Sequence, residues 1–242
     1  MINRLKLLST LFDHLVNSDT SAGRCVTCLH PSAFNGLCAP CRSDLPRNRL
    51  HCDICALPLA FSGPVRRCGE CLTQPPAFTR SLIPWRYQFP VDSMIGRYKY
   101  NGQRKFARPL LSDFSDYLEH TLSDGERPEL LIPAPMHWRR RWQRGFNQSQ
   151  DIAEYLGRRL EIPVNSQAVQ RKRQVRAQRG LNRAARLTNL NKVFEVCQAI
   201  PERVAIVDDV VTTGATTRAL AGALTKAGAR EIQIWALART PG

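Results

Sequence analysis

The sequence predicts an α/β fold with a parallel sheet, preceded by a small cysteine-rich domain. Segments typical of strands alternate with segments typical of helices, eight of the nine cysteines fall between residues 25 and 71, and 242 residues suffice for one α/β domain with an appendage. We expect strands at 130–133, 162–169, 203–207 and 231–238, helices at 110–118, 148–160 and 215–228, and strand and turn structure over 80–100.

The chain is expected to divide into a helix over residues 1–20, a cysteine-rich domain over 21–75 and an α/β domain over 76–242. In Met1–Val16, apolar residues recur at helical spacing among charged ones, which predicts an amphipathic helix that packs on the protein; contact with a membrane surface is the alternative. The segment lacks the apolar stretch and cleavage site of a secretory signal, and no run of about 18 apolar residues occurs. We therefore expect a cytoplasmic protein without a transmembrane segment.

The clustered cysteines have the spacing of metal ligands. They form four Cys-x-x-Cys pairs: Cys25 and Cys28, Cys38 and Cys41, Cys52 and Cys55, and Cys68 and Cys71. In a reducing cytosol such pairs indicate tetrahedral zinc sites rather than disulfides. Sequential grouping of the pairs on two ions is the simplest arrangement, and an interleaved one is the alternative. A site with four thiolates has no open position, so we expect both ions to be structural, with a docking surface as a further role.

Residues 204–217 carry the strongest functional pattern in the chain. The apolar strand Val204–Val207 ends at two adjacent carboxylates, Asp208 and Asp209, and a hydroxyl-rich turn around Gly214 then opens a helix. Backbone N–H groups and the dipole at a helix N-terminus suit a phosphate, whereas two carboxylates would repel it. Carboxylates instead accept hydrogen bonds from vicinal sugar hydroxyls, so the pattern favours a ribose 5-phosphate.

This stretch resembles the phosphoribosyl pyrophosphate (PRPP) signature of type I phosphoribosyltransferases. The resemblance implies a Rossmann-like parallel sheet, Mg²⁺ bound with PRPP, and catalytic roles for Asp208 and Asp209. The PRPP-binding residues that it implies are Asp208, Asp209, Thr212, Thr213, Gly214, Ala215, Thr216 and Thr217, together with Pro133, Ala134 and Pro135 of the loop after strand 130–133. Purine-salvage members carry an acid at the position of Thr212, so the sequence disfavours a hypoxanthine or guanine activity.

The whole chain resembles the ComF family of competence and DNA-utilisation proteins. The resemblance rests on the cysteine-rich N-terminus, the Arg-Gly-Phe-Asn-Gln segment at 144–148, the basic stretch 171–186 and the PRPP motif. It implies a phosphoribosyltransferase-like domain behind a double zinc ribbon, in a protein that acts in DNA uptake or in the use of extracellular DNA as a nutrient, with proteins of the uptake machinery as partners. A metabolic phosphoribosyltransferase and a zinc-ribbon adaptor with a PRPP-sensing domain are the alternatives.

The charge of the chain points to a polyanionic partner. The net charge is +15, and residues 137–192 contain 14 Arg or Lys residues against three acidic ones. Arginine suits phosphate recognition, and interleaved tryptophans offer stacking faces for single-stranded DNA. The candidate residues are Arg139, Arg140, Arg141, Trp142, Arg144, Arg171 and Arg173. A solvated basic face is the alternative. Lys99–Asn101, before Gly102, is interpreted as a surface turn, and a contribution to a pocket for an acceptor base is the alternative.

Overall fold

The computed structural model describes residues 23–31, 33–61, 63, 65–101, 103–136, 145–172 and 193–242. The predicted N-terminal helix and most of the basic segment lie outside these residues. The chain divides into two compact units, Met1–Asp44 and Leu45–Gly242. The first four of the clustered cysteines belong to the first unit and the other four belong to the second. The three-part division into residues 1–20, 21–75 and 76–242 stays a prediction.

The first unit contains one short helix among its described residues, α1 (Ala39–Ser43), and the second contains the α/β fold. The helices of the second unit are α2 (Gly69–Thr73), α3 (Val91–Asn101), α4 (Arg104–Thr121), α5 (Gln148–Leu160) and α6 (Ala215–Lys226), with a 3₁₀ turn at Asp124–Glu126. Its strands are β1 (Arg80–Leu82), β2 (Trp85–Arg86), β3 (Leu130–Pro133), β4 (Val169–Arg171), β5 (Phe194–Val196), β6 (Arg203–Val211) and β7 (Glu231–Arg239).

The main sheet is parallel and has the strand order β1-β7-β6-β3, with β2 also paired to β7. Its central strands carry the apolar runs seen in the sequence, and Val204–Val207 of β6 is fully buried. Helix α6 contributes Leu220 and Leu224 to the core formed by β3, β6 and β7, and α5 packs on β3 and β6. Strands β4 and β5 form a separate antiparallel pair. The predicted α/β class with a parallel sheet is therefore confirmed.

Two predicted elements were wrong. Residues 91–101 form a helix rather than strand and turn structure, because Val91, Ile95 and Tyr98 are buried at helical spacing. The aromatic residues of this region obscured that period in the sequence. The strand predicted over 162–169 is reduced to an isolated bridge at Val164 and the start of β4, since Pro163 has no backbone N–H to donate to a ladder.

Candidate functional site

The acid pair, Asp208 and Asp209, lies in β6 just beyond the last residue that pairs with β3. Pairing of β6 with β3 ends at Val207 and Pro133, whereas pairing with β7 continues to Val211. Asp208 and Asp209 therefore lie within β6, not beyond its end as predicted, because the nine-residue β7 extends the strand. They nevertheless follow the last residue paired with β3, so this edge of β6 has no neighbouring strand at their position, and ligands of parallel sheets bind at the carboxyl ends of the strands.

The two carboxylates have different partners. Asp208 Oδ1 accepts hydrogen bonds from Ser149 Oγ at 2.9 Å and from the backbone N–H of Asp209 at 2.8 Å. Asp209 Oδ1 lies 3.0 Å from Lys99 Nζ, and both side chains are almost buried, at 14% exposure for the lysine and 13% for the acid. Burial, and then the neighbouring Asp209 carboxylate, raise the pKa of Asp208 to about 7.

The hydroxyl-rich loop joins β6 to the N-terminus of α6. Gly214 has a left-handed backbone, with φ of 76°, which favours glycine at this position. Thr217 Oγ1 donates to the carbonyl of Gly214 at 2.8 Å, and Thr213 Oγ1 accepts from the N–H of Ala215 at 3.4 Å. The side chains of Thr212, Thr213 and Thr216 are exposed. The loop thus places exposed hydroxyls next to the N-terminus of α6, where the helix dipole is positive.

The loop after β3 is held beside the acid pair. Pro133 pairs with Val207, and the N–H of Ala134 donates to the carbonyl of Val207 at 2.8 Å. Asn147 caps α5 by accepting from the N–H of Ser149, and its Nδ2 donates to the carbonyl of Ala134 at 3.3 Å. The structure therefore brings Pro133 and Ala134, with Pro135 next in the chain, to the edge that carries the carboxylates.

Two residues at this site were missed in the sequence. Lys99, interpreted as part of a surface turn, lies in helix α3 with its ammonium group on Asp209, so that interpretation was wrong. Ser149 belongs to the first turn of α5 and reaches Asp208 across the sheet edge. The N-cap Asn147 marks where α5 begins and could have drawn attention to Ser149.

The clustered cysteines group sequentially and not in an interleaved arrangement. One cluster contains Cys25, Cys28, Cys38 and Cys41, and the other contains Cys52, Cys55, Cys68 and Cys71. Within each cluster all four sulfur atoms lie within 4.8 Å of one another, with 3.6 Å between those of Cys28 and Cys38 and 3.5 Å between those of Cys55 and Cys68. Sulfurs bound to one tetrahedral zinc at about 2.3 Å lie about 3.8 Å apart. Each cluster therefore has the donor set and the dimensions to hold one metal ion.

The two clusters repeat the same local geometry. The residue after each first Cys-x-x-Cys pair is left-handed, Leu29 with φ of 65° and Ala56 with φ of 55°. Although burial raises the pKa of Cys25, backbone hydrogen bonds from Cys28, Cys38 and Thr27 lower it to about 6. The equivalent N–H groups lower the pKa of Cys52 in the same way. Thiolates stabilised by backbone N–H groups are the protonation state that a metal requires.

Most candidate nucleic-acid residues lie outside the described part of the chain, namely Arg139, Arg140, Arg141, Trp142, Arg144 and Arg173. Arg171 ends β4, and its guanidinium carbon lies 5.7 Å from the centroid of the Phe194 ring. Nucleic-acid binding by this segment stays a prediction. Among the described helices, none combines the length and the apolar character needed to cross a membrane.

Comparisons with known proteins identify the family to which this chain belongs. No protein-family model matches the chain. Competence protein F of Haemophilus influenzae is 36% identical over 89% of this chain and 96% of its own length. DNA utilization protein YhgH of Escherichia coli is 33% identical over 91% and 99%, and Competence protein ComFC of Bacillus subtilis is 26% identical over 92% and 90%. Among solved structures, a purine phosphoribosyltransferase from Pyrococcus horikoshii aligns with 55% of this chain and 82% of its own, with a TM-score of 0.35 and 18% identity. With identity above 30% over almost the full length of both proteins, this chain belongs to the ComF family.

Proposed function

We propose that this protein binds PRPP together with Mg²⁺ at the edge formed by β3, β6 and α6, and that it acts in the uptake or use of external DNA. The observation that carries the proposal is the Asp208–Asp209 pair beside a Gly214 loop that opens a helix, in a chain 36% identical to Competence protein F. The names of its relatives refer to competence and to DNA utilization. We place this function in the cytoplasm.

Different residues of the site bind different parts of PRPP. The carboxylates of Asp208 and Asp209 accept hydrogen bonds from vicinal ribose hydroxyls, and Lys99 offsets part of their charge. The loop Thr212–Thr217 donates backbone and hydroxyl hydrogen bonds to the 5-phosphate. Oxygen ligands suit Mg²⁺, which would neutralise charge on the pyrophosphate group when bound with PRPP. The loop Pro133–Pro135 lies on the same edge, where it can contact that group.

The second part of the proposal is that single-stranded DNA binds the basic segment. The concentration of arginine and tryptophan between residues 137 and 192 supports it, because guanidinium groups pair with phosphates and indole rings stack on bases. Proteins of the DNA-uptake machinery are the partners that we propose for such a complex. Zinc in the two thiol clusters would serve as a structural ion, since four thiolates leave no position for a substrate.

Isothermal titration with PRPP and Mg²⁺ tests the binding site. We expect saturable binding to the wild type and a loss of at least about tenfold in affinity for D208N/D209N, since two acceptors of the ribose hydroxyls are weakened. Asp116→Asn is the matched control, because Asp116 lies on α4 with its side chain 53% exposed and contacts only the surface Arg159 in the described structure. Equal affinity of the wild type and D208N/D209N would show that PRPP binds elsewhere, and no binding to the wild type would contradict the proposed function.

Two further measurements separate the classes of function. Deleting the gene and scoring growth on DNA as the nutrient tests the physiological role, and unchanged growth would contradict it. Release of pyrophosphate from PRPP in the presence of a panel of bases and amines tests for turnover. PRPP binding with no release supports a sensor or adaptor, whereas release that disappears in D208N/D209N supports a transferase.

A further inference from the structure

The second thiol cluster is built into the α/β unit that carries the acid pair. Ala56, which follows Cys55, is fully buried within the core of the sheet, and Ile54 and Cys55 pack against that core. The side chain of Asn48 fixes this segment by donating to the carbonyl of Ala56 at 2.8 Å. The cluster segment therefore moves with the sheet, and its backbone is close enough to bind side chains from the end of β7.

Arg239 connects the cluster segment to the start of the loop. It is the last residue of β7, and only 4% of it is exposed. Its Nε donates to the carbonyl of Cys55 at 3.2 Å, and its Nη1 donates to the carbonyls of Val211, at 3.2 Å, and of Thr212. One buried guanidinium thus joins a metal-ligand residue to the two residues at which β6 becomes the loop.

Arg218 makes a second connection from the other side of the loop. It lies in the first turns of α6, and its Nη2 is 3.6 Å from the sulfur of Cys71. Its Nη1 donates to the carbonyl of Gln74 at 2.8 Å, and its Nε lies 3.3 Å from Glu70 Oε1. All three partners belong to helix α2 or to the residue that follows it. Only a small pocket separates the cluster segment from the loop, and it is lined by Cys55, Glu70, Thr213, Arg218 and Arg239 among others.

We propose that Arg218 and Arg239 are positioning residues that make metal binding at the second cluster stiffen the loop Thr212–Thr217. A metal ion fixes the relative positions of Cys55 and Cys71, because both are ligands of the same site. The carbonyl of Cys55 holds Arg239 and the thiolate of Cys71 holds Arg218, so the start of the loop and the start of α6 are fixed as well. The stiffening does not depend on the ligand of the loop.

A consequence for affinity follows from thermodynamic linkage and rests on the proposed PRPP binding. A loop that is already ordered loses less entropy when it binds a ligand, so metal at the second cluster should tighten PRPP binding. Linkage is reciprocal, and PRPP should therefore raise the affinity of that cluster for metal by the same factor.

Hydrogen–deuterium exchange on the full-length, zinc-loaded protein tests the stiffening. Cys68→Ser removes a ligand of the second cluster without touching either arginine, and Cys38→Ser removes the equivalent ligand of the first cluster, since both cysteines cap a short helix. We expect amide exchange over residues 212–218 to rise at least about fivefold in Cys68→Ser and to stay unchanged in Cys38→Ser. Equal effects of the two variants, or none, would overturn the proposal.

If Cys68→Ser does not fold, Arg218→Gln tests the same link between the second cluster and the loop. This variant retains all eight thiols, and its metal content can be checked directly. We expect faster exchange over residues 212–218 with both zinc ions still bound, because the link to Cys71 is lost. Unchanged exchange in Arg218→Gln and in Arg239→Gln, each with full metal content, would contradict the proposal.

Metal affinity in the presence of PRPP gives the readout that a merely structural role would not produce. In competition at equilibrium with a chromogenic chelator, the zinc affinity of the wild type should rise about tenfold when the protein is saturated with PRPP, and that of Arg218→Gln should rise much less. A zinc affinity that PRPP leaves unchanged, in a wild type that binds it, would contradict the coupling. If the wild type binds no PRPP, the proposed function fails, and the exchange experiments still decide whether the second cluster stiffens the loop.

Discussion

At the scale of single residues, the two adjacent carboxylates differ in their partners: Asp209 forms an ion pair, and Asp208 has hydrogen bonds only. Asp209 has an ammonium partner at 3.0 Å, whereas Asp208 relies on a hydroxyl and a backbone N–H. Burial, and then the adjacent negative charge of Asp209, raise the pKa of Asp208 to about 7. A carboxylate whose charged form is disfavoured in this way lowers the stability of the free protein.

Asp208→Asn is therefore expected to stabilise the protein while it weakens PRPP binding. The pKa of Asp208 in the folded state lies above the ordinary value of about 3.9, so its contribution to the free energy of unfolding falls as pH rises from about 4 to 7 and is constant above that. Removing the charge should raise the free energy of unfolding by about 1–2 kcal/mol near pH 8 and by less near pH 6. Urea unfolding at the two pH values measures the difference, and a gain that does not depend on pH would contradict this account.

Lys99→Met is expected to have the opposite effect on stability. It leaves the almost buried Asp209 carboxylate without its cation and lowers the free energy of unfolding by about 2 kcal/mol. The uncompensated pair should also weaken PRPP binding by about tenfold near pH 7, because one carboxylate then takes up a proton. Lys105→Met, at an exposed position in α4, is the control and should change stability by less than about 0.5 kcal/mol. Equal stability of the two variants in urea would show that the ion pair contributes nothing.

At the scale of elements, the sequence indicated the strands and helices that carry a single clear pattern. Strand β3 and helix α5 have the predicted bounds, and β6 and α6 differ only at one end. Helix α3 was missed because its buried positions are occupied by residues that also favour strands. Because helix α3 was missed, the contact of Lys99 with Asp209 was missed as well, since a residue in a surface turn is not expected to contact a buried carboxylate. Contacts such as that of Ser149 with Asp208 depend on tertiary packing, which periodicity does not encode.

Helix α5, which carries Ser149, depends on a close approach at Gly157. A Cβ atom at Gly157 would lie 2.4 Å from Val164 Cγ2 and 2.7 Å from the carbonyl oxygen of Ile162. Gly157→Ala should therefore lower the free energy of unfolding by about 1–3 kcal/mol, although alanine is the better helix former. Gly96→Ala in α3 is the matched control, because nothing lies within 4 Å of its Cβ position, and it should stabilise by about 0.5–1 kcal/mol. Thermal unfolding compares the two, and stabilisation by both would show that α5 can move away.

At the scale of the whole molecule, the sequence predicted both thiol clusters but not their different places in the fold. The Cys-x-x-Cys spacing is the same in the two halves of the repeat, so nothing in it distinguishes Cys38 from Cys68. In the structure the first cluster belongs to the unit Met1–Asp44, and the second shares the core of the α/β unit. That difference arises from the apolar residues around the ligands, such as the buried Ala56, and from the buried arginine at the end of β7.

The charge of the molecule leads to the last prediction, which concerns single-stranded DNA. If Arg139, Arg140, Arg141 and Arg144 each neutralise one phosphate of a single strand, about three counterions are released, and a fourfold rise in salt should weaken binding about 50-fold. Replacing Arg139, Arg140 and Arg141 with glutamine should weaken binding at low salt and lower the slope of log K against log salt by about 2. Arg230→Gln, which removes an exposed arginine just before β7, at the opposite end of that strand from the acid pair, is the control and should leave the slope unchanged. Fluorescence anisotropy with a labelled oligonucleotide measures the affinity of all three proteins for DNA.

An affinity that does not respond to salt would exclude phosphate contacts as the basis of DNA binding, because exchange of bound cations for guanidinium groups makes such contacts sensitive to ionic strength.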